Sequence, residues 1–110
     1  MICKPYDVVV VPFPFTDRRA NKRRPALALS AKGFNTDSGH TVVAMITSAE
    51  NPPWPMDVRI NAASAGLRSP SKVRMKLFTL DNRLIQHKAG TLSDTDRRTV
   101  GAVIQRLLRV

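Results

Sequence analysis

A chain of 110 residues with 18 Lys and Arg against 8 Asp and Glu carries a formal charge of +10 and has the size of one domain, residues 1–110, with a core of its own. The single cysteine, Cys3, excludes an internal disulfide and a thiolate metal cluster, and no apolar run has the length of a membrane span or a secretory leader. The positive excess asks for a polyanionic partner in a cytoplasmic setting, nucleic acid first and an acidic protein second, and the preference for arginine over lysine favours phosphate recognition.

Residues 7–11 are valines after a charged start, which reads as a strand buried on both faces. Pro12-Phe13-Pro14-Phe15 stays extended but lacks two backbone donors, so it belongs at a sheet edge, with Phe13 and Phe15 turned toward the core. Residues 16–24 form a connecting loop with five cations and one anion. Arg18, Arg19, Lys22 and Arg23 in that loop read either as a solvated hairpin tip or as a nucleic-acid contact. The loop runs into a second strand over residues 26–31. Pro25 fixes its own φ and biases Arg24 toward extended backbone, so the Arg24 guanidinium stands at a stiffened strand start, suited to a phosphate.

Residues 32–40 hold the Gly, Asn and Asp of a long hairpin turn. A third strand over 41–47 follows and ends in two hydroxyls, Thr47 and Ser48. Residues 50–56 carry three prolines in seven residues and the lone Trp54, which predicts an extended loop. Trp54 there caps the core, covers the site as a lid or stacks a base. A short strand spans 57–60, and a Ser/Ala/Gly connection follows to residue 70. Residues 71–77 alternate, Lys72, Arg74 and Lys76 against Val73, Met75 and Leu77, which predicts a strand with a basic face and a core face. Phe78-Thr79-Leu80-Asp81 extends it, and Asn82-Arg83 marks a turn. Gly90 breaks the chain before a helix over 93–109, capped by the Ser93-x-x-Asp96 pair and striped by Val100, Val103, Ile104, Leu107 and Leu108.

Several of these segments line up as an ordered set: Tyr6-Asp7-Val8-Val9, Pro12-Phe13-Pro14-Phe15, Arg23-Arg24-Pro25-Ala26-Leu27, Ile46-Thr47-Ser48 and Lys76-Leu77-Phe78-Thr79-Leu80-Asp81. The set resembles the PemK/MazF family of type II toxins over nearly the whole chain. The resemblance implies a mainly β fold with a C-terminal α-helix, an SH3-like β-barrel of the PemK/MazF/CcdB type. It implies a homodimer and a metal-independent endoribonuclease that needs no cofactor and cuts single-stranded RNA. Its partners would be a cognate antitoxin and, through the toxin–antitoxin complex, operator DNA. By position, Arg24 matches the family's catalytic arginine before proline, and Thr47 its active-site hydroxyl. Arg18, Arg19, Lys22, Arg23, Ser48, Trp54, Arg74 and Lys76 are the expected RNA-binding residues. Two departures stand out. Tyr6 replaces the usual glycine before the first-strand acid, and Arg74-Met75 stand where some members carry an acid.

Cutting RNA without metal requires a deprotonated 2′-hydroxyl, a stabilised phosphorane and a protonated leaving oxygen. Arg24 suits the second task and, as a guanidinium, is a poor base. The base is unassigned, and His40 and His87 read as surface histidines. No metal-ligand spacing, Gly-rich phosphate loop or nucleophile elbow is present. Without the resemblance, Arg24 could equally pair with Asp7 or Asp81 at the barrel rim. Two other functions fit the same barrel, a poison of DNA gyrase acting through the C-terminal helix and a non-catalytic nucleic-acid-binding module.

Overall fold

The valine run of residues 8–11 serves two cores at once, and the sheet is built around it. The computed structural model describes residues 1–12 and 23–109. Strand β1 (Asp7–Pro12) pairs with β2 (Arg23–Ala28) and β6 (His87–Thr91). Strand β3 (His40–Ser48) pairs with β2 and β5 (Ser71–Asp81), and β4 (Val58–Ile60) lies outside β5. All pairs are antiparallel, in the order β4-β5-β3-β2-β1-β6, a half-barrel sheet. Helix α1 (Lys32–Ser38) joins β2 to β3, and helix α2 (Asp94–Leu108) closes the chain. Neither helix is long and apolar enough to cross a membrane.

Side chains alternate along each strand, so the sheet has two apolar faces. On one, Val8, Leu27, Ala44, Ile46, Val73 and Met75 pack with Val100 and Val103 of α2. On the other, Val9, Val11, Ala26, Ala28, Val43, Leu80 and Ile85 gather around Cys3. The helix starts as its sequence predicts: the Ser93 hydroxyl accepts the Asp96 N–H at 3.2 Å. Burying Val100 and Val103 contributes about 1.5–3 kcal/mol each. Leu108, expected in the apolar stripe, is instead half exposed at the helix end.

Three expectations are corrected. Residues 32–38 form α1 and not a long turn, because tertiary bonds override weak helix formers. Buried Asn35 donates through Nδ2 to Cys3 O (2.8 Å) and Ser30 O (3.1 Å), accepts the Ser30 hydroxyl, and lends its carbonyl to Asn82 Nδ2 at 2.7 Å. Gly39, within the expected turn, ends α1 at φ +72°. His40 then begins β3 and is not part of a turn. Residues 87–91, with His87 expected as a surface histidine and Gly90 as a break, form the edge strand β6. Gly90 is required there because the 65–66 backbone presses on it: a Cβ would lie 2.6 Å from the Ala65 carbonyl. Phe13, Phe15, Arg18, Arg19 and Lys22 lie outside the described residues.

Candidate active site

Pro25 has no backbone N–H, and the β2–β3 ladder stops beside it. The paired positions run Ala28–Val43, Leu27–Ala44 and Ala26–Met45 and go no further, while β1 and β2 stay paired out to Pro12–Arg23. The same register carried two positions past the break sets Arg24 across from Thr47. Arg24 is paired with Val11, so both belong to the face that holds the Cys3 cluster. On β5, Lys72 lies opposite Thr47 and Arg74 opposite Met45, which brings both cations to that same face. Four residue positions from three strands therefore converge where β2 and β3 part.

Arg24 forms no ion pair with Asp7 or Asp81. Asp7 is buried, accepts the Lys4 N–H at 3.0 Å and ion-pairs with Lys88 Nζ at 3.1 Å. Asp81 is held by Arg83 at 2.8 Å, and hydrogen bonds from that arginine's side chain and N–H hold its carboxyl well below the usual carboxylate range. Both acids are taken. Arg24 Nε is buried without a hydrogen-bond partner among the described residues.

Around Thr47 the contacts are dense. Asn51 Nδ2 donates to Thr47 Oγ1, and Lys72 Nζ donates to Asn51 O at 2.7 Å. Lys72 also pairs with Asp57 at 3.1 Å, and Arg74 donates to Asp57 through Nε (3.3 Å) and Nη2 (3.2 Å). Burial alone would raise the Asp57 pKa. Hydrogen bonds from Arg74, the Trp54 N–H and Lys72 outweigh it, so the carboxyl sits below its ordinary value. The expected basic face of β5 is thus graded: Lys72 is buried, Arg74 half-buried and Lys76 exposed. β5 carries two additional residues, Met75 and Lys76, against the Ala44–Met45 step of β3. Lys76 Nζ then lies 4.4 Å from the Trp54 ring centroid, with Arg74 Cζ at 5.8 Å. Trp54 is 41% exposed and does not cap the core.

Ser48 follows Thr47 on the opposite face, paired with Ser71, and its hydroxyl accepts the Glu50 N–H at 3.3 Å. Arg23 is exposed and alternates away from Arg24. Both histidines are exposed. His40 begins β3, seven positions or about 23 Å along the strand from Thr47. His87 pairs with Val10, which alternates with Val9 and Val11, so it belongs to the face opposite Arg24. Asn51, Asp57 and the inward role of Lys72 were missed in the sequence. Asp57 was readable as the first residue after the proline-rich loop, at the start of a short strand. Among the described residues no group of three His, Cys, Asp or Glu side chains could hold a metal ion.

Strand order and helix position define a MazF-type fold. The family model described as the PemK-like, MazF-like toxin of type II toxin–antitoxin systems matches residues 4–108, and the chain belongs to that family. Among solved structures it is similar to MazF from Deinococcus radiodurans (TM-score 0.78, 21% identity, covering 100% of this chain and 99% of that one). It is also similar to an endoribonuclease in complex with its cognate antitoxin from a mycobacterial species (TM-score 0.78, 14% identity, 99% and 95% covered). No curated protein matches the sequence. Tyr6, where the resemblance leads one to expect glycine, adopts φ +71°, a region that favours glycine.

Proposed function

We propose that this protein is an endoribonuclease toxin that cleaves single-stranded RNA without a metal ion and is restrained by an antitoxin. The observation that carries this reading is the Nε of Arg24, buried without a hydrogen-bond partner among the described residues, at the strand position across from Thr47. A buried guanidinium with an unsatisfied donor gains a hydrogen bond when a phosphate oxygen reaches it.

In the proposed reaction the substrate 2′-hydroxyl attacks the adjacent phosphorus. Arg24 donates to the phosphorane oxygens as charge builds. Thr47, oriented by Asn51, hydrogen-bonds the reacting phosphate. Asp57 is the carboxylate nearest this network by its contacts, but two cations hold it ionised and occupied, which makes it a poor proton acceptor. Trp54, Arg74 and Lys76 complete the RNA-facing set, together with Arg18, Arg19 and Lys22, whereas Arg23 and Ser48 alternate away from it. The antitoxin reading rests on the family and on relatives solved with their antitoxins. The +10 charge suits an acidic partner of that kind. A homodimer in the cytoplasm, and operator DNA bound through the complex, belong to the same reading.

Purified protein should cut an unpaired oligoribonucleotide in the presence of EDTA, and Arg24→Ala should lose that activity at unchanged thermal stability. Undiminished cleavage by the variant would remove the proposed centre. Binding to gyrase with no cleavage of naked RNA would favour the gyrase poison instead.

A further inference from the structure

The chain between β3 and β4 is short of backbone donors: Pro52, Pro53 and Pro55 have none to give, and no ladder holds the segment. Asp57 holds it. Its Oδ2 accepts the Trp54 N–H at 3.0 Å, and its two oxygens receive Arg74 and Lys72 from β5. The same two cations reach past the carboxylate to loop carbonyls, Lys72 Nζ to Asn51 O and Arg74 Nη2 to Pro52 O, each at 2.7 Å. Met56 accepts φ +64° to turn the chain into this clamp, a strained conformation that the surrounding bonds impose. The product is an exposed indole fixed beside the Thr47 network, with Lys76 on its ring.

We propose that this loop is a nucleobase-binding site, in which an unpaired base of RNA stacks on Trp54, and that Asp57 is the positioning residue that builds it. The inference rests on the endoribonuclease reading and deepens it. The arriving base takes the place of Lys76 on the indole, and Lys76 moves to the adjoining phosphate, so one cation keeps the empty platform covered and then anchors the ligand. Lys72 and Arg74 do not make that move, because both are tied to Asp57 and to loop carbonyls. Asp57 acts through Trp54 and touches neither base nor reacting atoms.

The test uses the full chain and an oligoribonucleotide 2′-O-methylated throughout, which lacks the free hydroxyl that cleavage needs. Trp54 is the only tryptophan, so its emission reports on the loop directly. The oligonucleotide should quench that emission. Replacing one nucleotide by an abasic spacer should raise Kd about tenfold and abolish the quench. Asp57→Ala should shift the emission of the free protein and raise KM for cleavable RNA about tenfold, with kcat kept within about twofold. Asp57→Asn retains an acceptor for the Trp54 N–H and should fall between; Asp57→Glu should recover part of the loss. If Asp57→Ala fails to fold, Asp57→Asn and Trp54→Leu carry the same KM-against-kcat comparison. Equal affinity for the abasic probe overturns the site. A collapse of kcat with a displaced pH–rate profile in Asp57→Asn overturns the positioning role and makes Asp57 catalytic. Cleavage without quench removes the site alone, and quench without cleavage removes the ribonuclease reading alone.

Discussion

Thr47 and Lys72 face each other across the β3–β5 ladder, and Asn51 bonds both, donating its amide to the Thr47 hydroxyl and accepting the Lys72 ammonium on its backbone carbonyl. The hydroxyl is therefore not a free strand-end group. Its acceptor side is occupied by an amide donor, which leaves the O–H proton to point elsewhere, toward a phosphate oxygen in the proposed complex. Asn51→Ala removes that constraint without touching Thr47. One lost hydrogen bond of about 1 kcal/mol corresponds to a five- to tenfold fall in kcat/KM. Initial-rate kinetics on a short fluorogenic RNA check it. Thr47→Val should fall further than Asn51→Ala, and the reverse order would separate Asn51 from the hydroxyl.

Arg24→Lys tests the fork against the charge. Lysine keeps the positive charge and roughly the reach, but it loses the planar pair of donors and the buried Nε. Activity should drop by at least about a hundredfold, as when one preorganised donor is removed from a developing oxyanion. Added guanidinium at millimolar concentration should restore part of the rate in Arg24→Ala and little in Arg24→Lys, where the ammonium fills the space. Lysine activity close to wild type would make Arg24 a point charge only.

Much of this arrangement was legible in the chain. The doubly buried β1 came from an unbroken valine run, the basic-and-apolar alternation of β5 from period two, and α2 from its cap and stripe. Pro25 next to Arg24 signalled the corner, although the proline is within β2 and marks where a ladder ends and not where the strand begins. What failed was whatever depended on distant partners. Helix α1 exists because Asn35 bonds Cys3 and Asn82, contacts that no local window contains. β6 is an edge strand of weak formers recruited by β1. Asp57 looked like the start of a half-exposed strand, and only the fold shows that it meets two lysine-and-arginine positions fifteen and seventeen residues on.

The Asp57 clamp should be pH-dependent in a defined direction. The folded carboxyl has a lowered pKa, so its contribution is present above the ordinary carboxylate range near pH 4 and is lost as pH falls through the folded value. Trp54 emission should hold constant from neutral pH down to about 4 and then move toward that of the Asp57→Ala protein. In Asp57→Asn this acid transition should vanish. A transition that persists there belongs to another carboxylate.

Lys76 and Trp54 also predict a salt signature. A cation that moves from the indole to a phosphate releases about 0.7 of a counterion from single-stranded nucleic acid. Lys76→Ala should accordingly flatten the slope of log Kd against log salt by about 0.7. Trp54→Leu should weaken binding while leaving the slope nearly unchanged, because stacking is not ionic. Titrations from low to physiological salt with the methylated RNA measure both, and equal slopes for wild type and Lys76→Ala would place Lys76 outside the phosphate contacts.

Tyr6 offers a stability test that runs against ordinary propensity. It holds φ +71°, a region that disfavours a side chain by about 1–2 kcal/mol. Its ring is nonetheless useful: Arg97 Cζ lies 5.7 Å from the centroid, and the hydroxyl approaches Gly101 so closely that a Cβ there would sit 3.1 Å away. The backbone is anchored as well, its N–H on Ala28 O at 2.7 Å and its carbonyl accepting from Leu92 N–H and the Thr91 hydroxyl, each at 3.1 Å. Tyr6→Ala loses the ring and keeps the strain, while Tyr6→Gly loses the ring and sheds the strain. Alanine is usually the more stabilising of the two, because glycine gives up more chain entropy. At this position the order should invert, with glycine above alanine by about 1 kcal/mol in urea unfolding. Wild type should exceed both if the ring's packing beside α2 outweighs the left-handed backbone. Alanine above glycine would show that the chain before β1 can relax Tyr6 out of the left-handed region, and the Arg97 contact would shift with it.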